Sequence, residues 1–470
     1  MNRALGRYRF IVAMGLLLLL SACSREKPEM QQDIETWNSA TLKGSYDSLG
    51  QRNPKWDKDA EDALVQFART RTAPDDEAEL LSDLVGESAT SAVNAGCDDP
   101  VIRFLYVCYG SRPQALNFPE HEEMYCQAAS NLQESAYPPI RKFYANVEAA
   151  EWLWTRWNTN YANAWPTVRN FRSQALGDLN QALGDKSLPE SEAYRAVETL
   201  FDMISDDTYE LTNGYNALAA TLNQDKSRPG LAGLIKADFY LREAWRARGH
   251  GYANQVAPEG WRLFRERLAE ADKALNRAWA RAPYNPQIPT LMISIIEGEQ
   301  RPRSEMEKWF QRAMKLDPNN YQACRSKLHF LLPEWYGSRD DMLAFGRECV
   351  ASTNWGGHVP LILVDAHSEF ARTLGAEERR EYWMLPDVWP DINAAYEKYA
   401  QLNPDLTRFR YPYAAYAFRC RQWQDFKAQI GIIRKNDMPP DYNYFGGKDD
   451  FDKMAALADS IDKGKSAGSH

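Results

Sequence analysis

The chain has 470 residues, a formal charge of −9 and 26% charged residues. That acidic balance excludes a broad nucleic-acid surface and purely electrostatic attachment to anionic lipid. Its seven cysteines and six histidines show no Cys-x-x-Cys pair and no Cys/His spacing of the structural-zinc kind, so neither a metal nor a cofactor is expected.

Arg3, Arg7 and Arg9 precede an apolar run over residues 10–20. The run is shorter than the roughly 20 residues a bilayer span requires and has the length of a signal-peptide core. It leads into Leu20-Ser21-Ala22-Cys23, which resembles the lipobox of bacterial lipoproteins. The resemblance implies a signal peptide over residues 1–22, lipid on Cys23 and, because Ser24 rather than aspartate follows, an outer-membrane lipoprotein facing the periplasm. Two or more acyl chains make a stable tether, each buried methylene contributing about 0.8 kcal/mol. Loss of the three arginines moves the charge to −12. Residues 23–55, polar and carrying Pro28, Gly44, Gly50 and Pro54, predict a flexible tether.

The body is too long for one compact core. It divides into an N-terminal helical region at 56–230, a repeat core at 231–350, C-terminal helical repeats at 351–460 and a disordered tail at 461–470. In the first region "DDEAELLSDLVGE" and "PEHEEMYCQAASNLQ" start as helices do, with acids or proline. "SAYPPIRKFYANVEAAEWLWTRW" predicts a proline break and then a long aromatic helix. In "SLPESEAYRAVETLFDMI", Ser187 stands three residues before Glu190, a capping-box pattern.

The second half is more regular. Trp261, Phe264, Leu268, Ala271, Leu275, Ala278 and Ala282 form one apolar stripe of a helix that should stop near Pro283. "KALNRAWARAPYNPQ" and "EMEKWFQRAMKLDPNNYQA" repeat one logic, and Pro283 and Pro318 lie 35 residues apart. That period is close to the 34 residues of tetratricopeptide repeats. "AAYEKYAQLNPD" is a weaker third copy. No sustained strand alternation occurs, so the fold class is all-α: an α-solenoid of tetratricopeptide-like helical hairpins with an irregular N-terminal half. The segments "ARGHGYANQVAPEGW", "PTLMISIIEGEQRPRSEMEKWFQRAM" and "LPEWYGSRDDMLAFGREC" resemble an uncharacterised bacterial domain family of tetratricopeptide-like build. The resemblance spans roughly residues 95–350 and implies a fold rather than an activity.

No zinc-protease, nucleophile-elbow, Walker or Rossmann pattern is present, so no catalytic residue is assigned. His367 reads as a solvated or capped histidine. The acid pairs Asp206-Asp207, Asp340-Asp341 and Glu377-Glu378 read as helix starts. Three groups are candidate ligand contacts: Arg248, His250 and Tyr252 in a glycine-flanked turn; Trp154, Trp157, Tyr161 and Trp165 in an aromatic-rich stretch; and Trp335 and Tyr336, for which a hairpin staple is the plainer role. Six non-lipidated cysteines allow fifteen full pairings. Cys324 and Cys349 would meet if they lie on the arms of one hairpin; buried free thiols are the alternative. The expectation is a membrane-anchored binding or scaffold lipoprotein for a protein or peptide partner of the cell envelope. An envelope glycan-binding protein or glycan hydrolase is the competing class.

Overall fold

The structure is a computed structural model that describes residues 29–73, 75–110, 118–156, 161–205, 208–249, 251, 253–404, 406–435 and 442–467. Cys23 lies outside them. Among the described residues every regular element is helical, with 21 α-helices joined mostly by short turns. In chain order they are α1 (Glu29–Leu49), α2 (Asp57–Thr70), α3 (Asp75–Asn94), α4 (Pro100–Tyr109), α5 (Phe118–Glu134), α6 (Pro139–Arg156) and α7 (Tyr161–Ala182). There follow α8 (Glu190–Met203), α9 (Thr208–Gln224), α10 (Leu231–Arg248), α11 (Pro258–Arg281), α12 (Gln287–Gly298), α13 (Arg303–Leu316) and α14 (Tyr321–Phe330). The last are α15 (Arg339–Ala351), α16 (Ile362–Thr373), α17 (Ala376–Tyr382), α18 (Val388–Leu402), α19 (Arg410–Arg419), α20 (Trp423–Lys435) and α21 (Lys448–Ala467).

Their contacts follow a simple rule. Nearly every helix packs on its successor, and the even-numbered helices α2 to α18 also touch the next even helix in an unbroken row. Row helices have neighbours on several sides, and their sequences reflect it. In α12 the buried positions run nearly all the way round (Ile288, Pro289, Thr290, Met292, Ile293, Ile295, Ile296, Glu297). In the odd helix α11 the buried residues Phe264, Leu268, Ala271, Ala274, Leu275 and Ala278 hold to one stripe. That stripe and the end of α11 at Arg281, two residues before Pro283, agree with the sequence pattern. Ser338 caps α15 by accepting from the Asp341 amide.

Alanines on the stripe let α10 come close. A Cβ placed on Gly230 would lie 2.5 Å from the Ala282 Cβ. Small side chains on both helices thus fix the separation of α10 and α11.

Three expectations need correction. Residues 29–49 are not a tether but helix α1, with Ile34, Asn38, Leu42 and Tyr46 buried at four-residue steps. The Tyr46 hydroxyl donates to Asp57 (3.0 Å) on α2. Farther along the chain, Arg141 of α6 donates to Asn38 Oδ1 (2.7 Å) and Thr41 Oγ1 (2.8 Å), and α1 also packs on α8. A stripe containing an asparagine and a tyrosine on a polar, glycine-bearing background gives little sequence signal. At the other end, residues 461–467 continue α21 rather than forming a disordered tail. The Ser187 box is also not formed: Pro189 is the N-cap of α8, without a side-chain cap.

The ends of the row approach each other. Arg408, between α18 and α19, donates to Asp83 of α3 (3.0 Å), 325 residues away. No helix among the described residues is long and apolar enough to cross a membrane.

Gly230→Ala should therefore push α10 off α11. The expected cost is about 1–3 kcal/mol in denaturant unfolding, because overpacking forces backbone shifts.

Candidate functional site

The sequence-selected residues fall into separate local clusters. Gly249, with φ +74°, ends α10, its amide donating to the carbonyls of Trp245 and Arg246. Arg248 turns back over this end and donates to the carbonyls of Gly249 (3.0 Å) and Gly251 (3.2 Å). Its guanidinium lies 5.7, 5.6 and 5.4 Å from the ring centres of Trp245, Trp261 and Trp335. This is a cation–π knot joining α10, α11 and the turn before α15. Arg248 is thereby engaged inside the chain rather than held out for a ligand. His250 and Tyr252 lie outside the described residues. Trp335 packs edge-on to Trp245, and the Tyr336 hydroxyl donates to the Glu297 carbonyl (3.1 Å), so this pair does staple the turn.

The other two groups are equally local. Trp154 and Trp165 are half-buried with ring centres 5.6 Å apart, and the Arg172 guanidinium lies 5.1 and 5.2 Å from them while bonding to Glu210 (2.8 Å). Trp157 lies outside the described residues, and Tyr161 opens α7. Cys324 and Cys349 sit on α14 and α15 as buried free thiols. Burial, and then the facing Cys324, push the Cys349 thiol far up, while the Cys324 thiol donates to Met314 Sδ (3.6 Å). His367 is fully buried, against expectation, with Tyr382 Oη at 2.7 Å and Asp391 at 3.2 Å. Among the described residues no three His, Cys, Asp or Glu side chains converge as a metal requires.

A different place has the geometry of a site. A cavity of about 810 Å³ opens where the N-terminal ends of α8 and α12 and the C-terminal end of α13 meet the loop before α10 and Ile34 of α1. Its size lies within the range of ligand sites. Part of its rim is already bonded: Glu190 accepts from Tyr284 (3.1 Å) and Asn285 (2.8 Å), and Arg228 is held by Asp225 and by the carbonyls of Leu183 and Leu188. The exposed face of α8 is not. Tyr194, Arg195 and Glu198 line the cavity, and their side chains have no hydrogen bond or ion pair among the described residues. Tyr194 is nonetheless only 4% exposed.

Behind this wall lies a buried charge cluster. Glu192, fully buried on α8, accepts from the Tyr144 hydroxyl (2.8 Å) and has Arg71 at 3.9 Å. The Arg71 guanidinium stacks over the Tyr144 ring at 4.0 Å. Burial, and then the like charge of Arg71, hold Arg195 below the usual arginine range; burial chiefly pulls Arg141 down to about 10. Two nearby acids relieve this field only in part. Burial and then Glu151 push Glu148 up to about 7, against the pull of Arg71, and burial and then Asp238 push Glu198 up to about 7.

Sequence reading singled out none of these groups. They come from residues 71, 141, 144 and 192–198 and meet only through packing of α2, α6 and α8. The one available signal was three charges, Glu192, Arg195 and Glu198, in a segment otherwise too apolar for one buried stripe. No family model matches the chain, and no curated protein matches it either.

Two outcomes follow. Arg248→Ala should cost about 2 kcal/mol in denaturant unfolding by undoing the three-ring knot. For Glu148, a carboxyl raised in the fold from near 4.5 to about 7 binds its proton more tightly folded than unfolded. Its contribution is complete below pH 4.5 and is lost as pH rises to 7. Glu148→Gln should be more stable than the native chain at pH 8, by on the order of 2 kcal/mol, and show little gain at pH 4 in paired melts.

Proposed function

We propose that the protein is a lipid-anchored, periplasm-facing binding module of the outer membrane, an α-solenoid of tetratricopeptide type whose cavity receives a segment of an envelope protein. The observation that carries this reading is the cavity itself, where polar side chains of α8 have no hydrogen bond or ion pair among the described residues, beside the row helix α12. Buried or half-buried polar groups normally find partners within the fold, and a set without them is what a ligand would complete. The even-to-even contacts are consistent with the solenoid element, because in such arrays each hairpin covers the next and one layer lines the binding surface. The lipobox resemblance supplies the anchor, which would raise the module's effective concentration for envelope partners.

A glycan hydrolase on the same helices has one observation in its favour, the Glu198 carboxyl near 7, in the range of a general acid. The second carboxylate is the difficulty. Glu190 is occupied by Tyr284 and Asn285, and Asp317 accepts from the Asn319 amide (2.9 Å). Binding is the better-supported reading.

Crosslinking pull-down from envelopes, with native chain, Cys23→Ala and Ser191→Trp side by side, tests it. Ser191 lines the cavity, and tryptophan there would fill it. A discrete protein captured by the native chain should be lost with Ser191→Trp at unchanged melting temperature, and reduced with Cys23→Ala. Capture of sugar fragments, or of the same protein by the filled variant, would overturn the reading.

A further inference from the structure

We propose that the cavity is a carboxylate-receiving site, in which Arg195, helped by Tyr194 and Ser191, takes a carboxylate carried by a peptide. The inference rests on the reading of the cavity as the ligand site and adds what that ligand must present.

The first support is geometric. Tyr194, Arg195 and Ser191 share the start and second turn of α8 and line the same cavity. Arg195 is half-buried and its guanidinium is without hydrogen bond or ion pair among the described residues. Guanidinium is a planar, permanently charged fork that matches a carboxylate in shape as well as charge. Tyr194, nine-tenths buried, has a hydroxyl in the same position: desolvated by the fold and unmatched.

The second support is the charge behind the wall. Arg71 lies 3.9 Å from the buried Glu192, and its like charge helps to lower both Arg141 and Arg195; among the described residues Oε2 of Glu192 and Nε of Arg71 are buried without a hydrogen bond. The three guanidiniums share this poorly solvated region with Glu192 and with the raised acids Glu148 and Glu198, which offset their positive charge only in part. An arriving anion relieves it, and Arg195 is the member that faces the cavity.

The third support concerns the kind of anion. Glu190, Glu198 and Asp317 also line the cavity. A phosphate dianion would meet more repulsion from them than a single carboxylate would. One guanidinium, one phenol and one serine hydroxyl also amount to the donors a single carboxylate accepts. A peptide offers a carboxylate at its C-terminus or on an Asp or Glu side chain.

The test uses the full chain in detergent and three fluorescent peptide libraries of about eight residues. One has free C-termini and no acidic residue, one has amidated C-termini and a central glutamate, and one is amidated and free of acids. Anisotropy titrations should show either of the first two binding at least tenfold tighter than the third, and which of them does so identifies the source. Arg195→Gln should erase the difference, Arg195→Lys should keep part of it, and neither should melt below the native chain. Equal binding of all three libraries, unaffected by Arg195→Gln, would overturn the carboxylate inference and leave the binding module standing. Failure of every library to bind the folded chain would overturn the module reading as well.

Discussion

Glu192 is the charge around which the first third of the fold is arranged. A carboxylate taken wholly out of water loses solvation of several kcal/mol unless bonds and opposite charges replace it. Here the replacements come from the end of α2 through Arg71 and from α6 through Tyr144. Arg141 extends the network to α1 by its bonds to Asn38 and Thr41. None of these helices can shift far without exposing a buried group to an environment that cannot pair it. The same requirement turns the next residues of α8, Tyr194 and Arg195, toward the cavity.

Elsewhere, steric fit takes the place of charge. Gly230 against Ala282 sets how near α10 and α11 lie, and the rings around Arg248 tie both to the turn before α15. Glu190 reaches from the start of α8 to Tyr284 and Asn285 before α12. The rim is therefore built from bonds between parts of the chain roughly 95 residues apart, on a row of helices that is itself closely packed. A cavity walled in this way is rigid, so a ligand taken up there would need little ordering of the chain.

What could be read from the sequence was what is encoded locally. The α11 stripe and its end before Pro283 each depend on residues within a few turns of one another. Helix α1 escaped because half of its buried stripe is polar: Asn38 is buried by virtue of Arg141, over a hundred residues later. His367 escaped for the same reason, since Tyr382 and Asp391 satisfy it. Arg248 was noticed for its glycine neighbours, although its three aromatic partners are what explain it. The cavity had no local signature, because the charge cluster behind it gathers residues from α6, α8 and the loop after α2.

The reach of α1 has a consequence for how the molecule comes apart. In an array where each hairpin meets only its neighbours, stability is close to a sum of adjacent terms, and the ends can fray one unit at a time. Helix α1 breaks that rule by contacting α2, α6 and α8 together. Opening any one of them uncovers part of the others, so the stretch from α1 to α8 becomes a single cooperative unit, protected as a block in hydrogen exchange. The Asp83–Arg408 pair is different in kind: it is partly exposed, worth at most about 1 kcal/mol, and its rupture disturbs no core. The far end of the row can thus breathe while the charge cluster and the wall of the cavity stay shut.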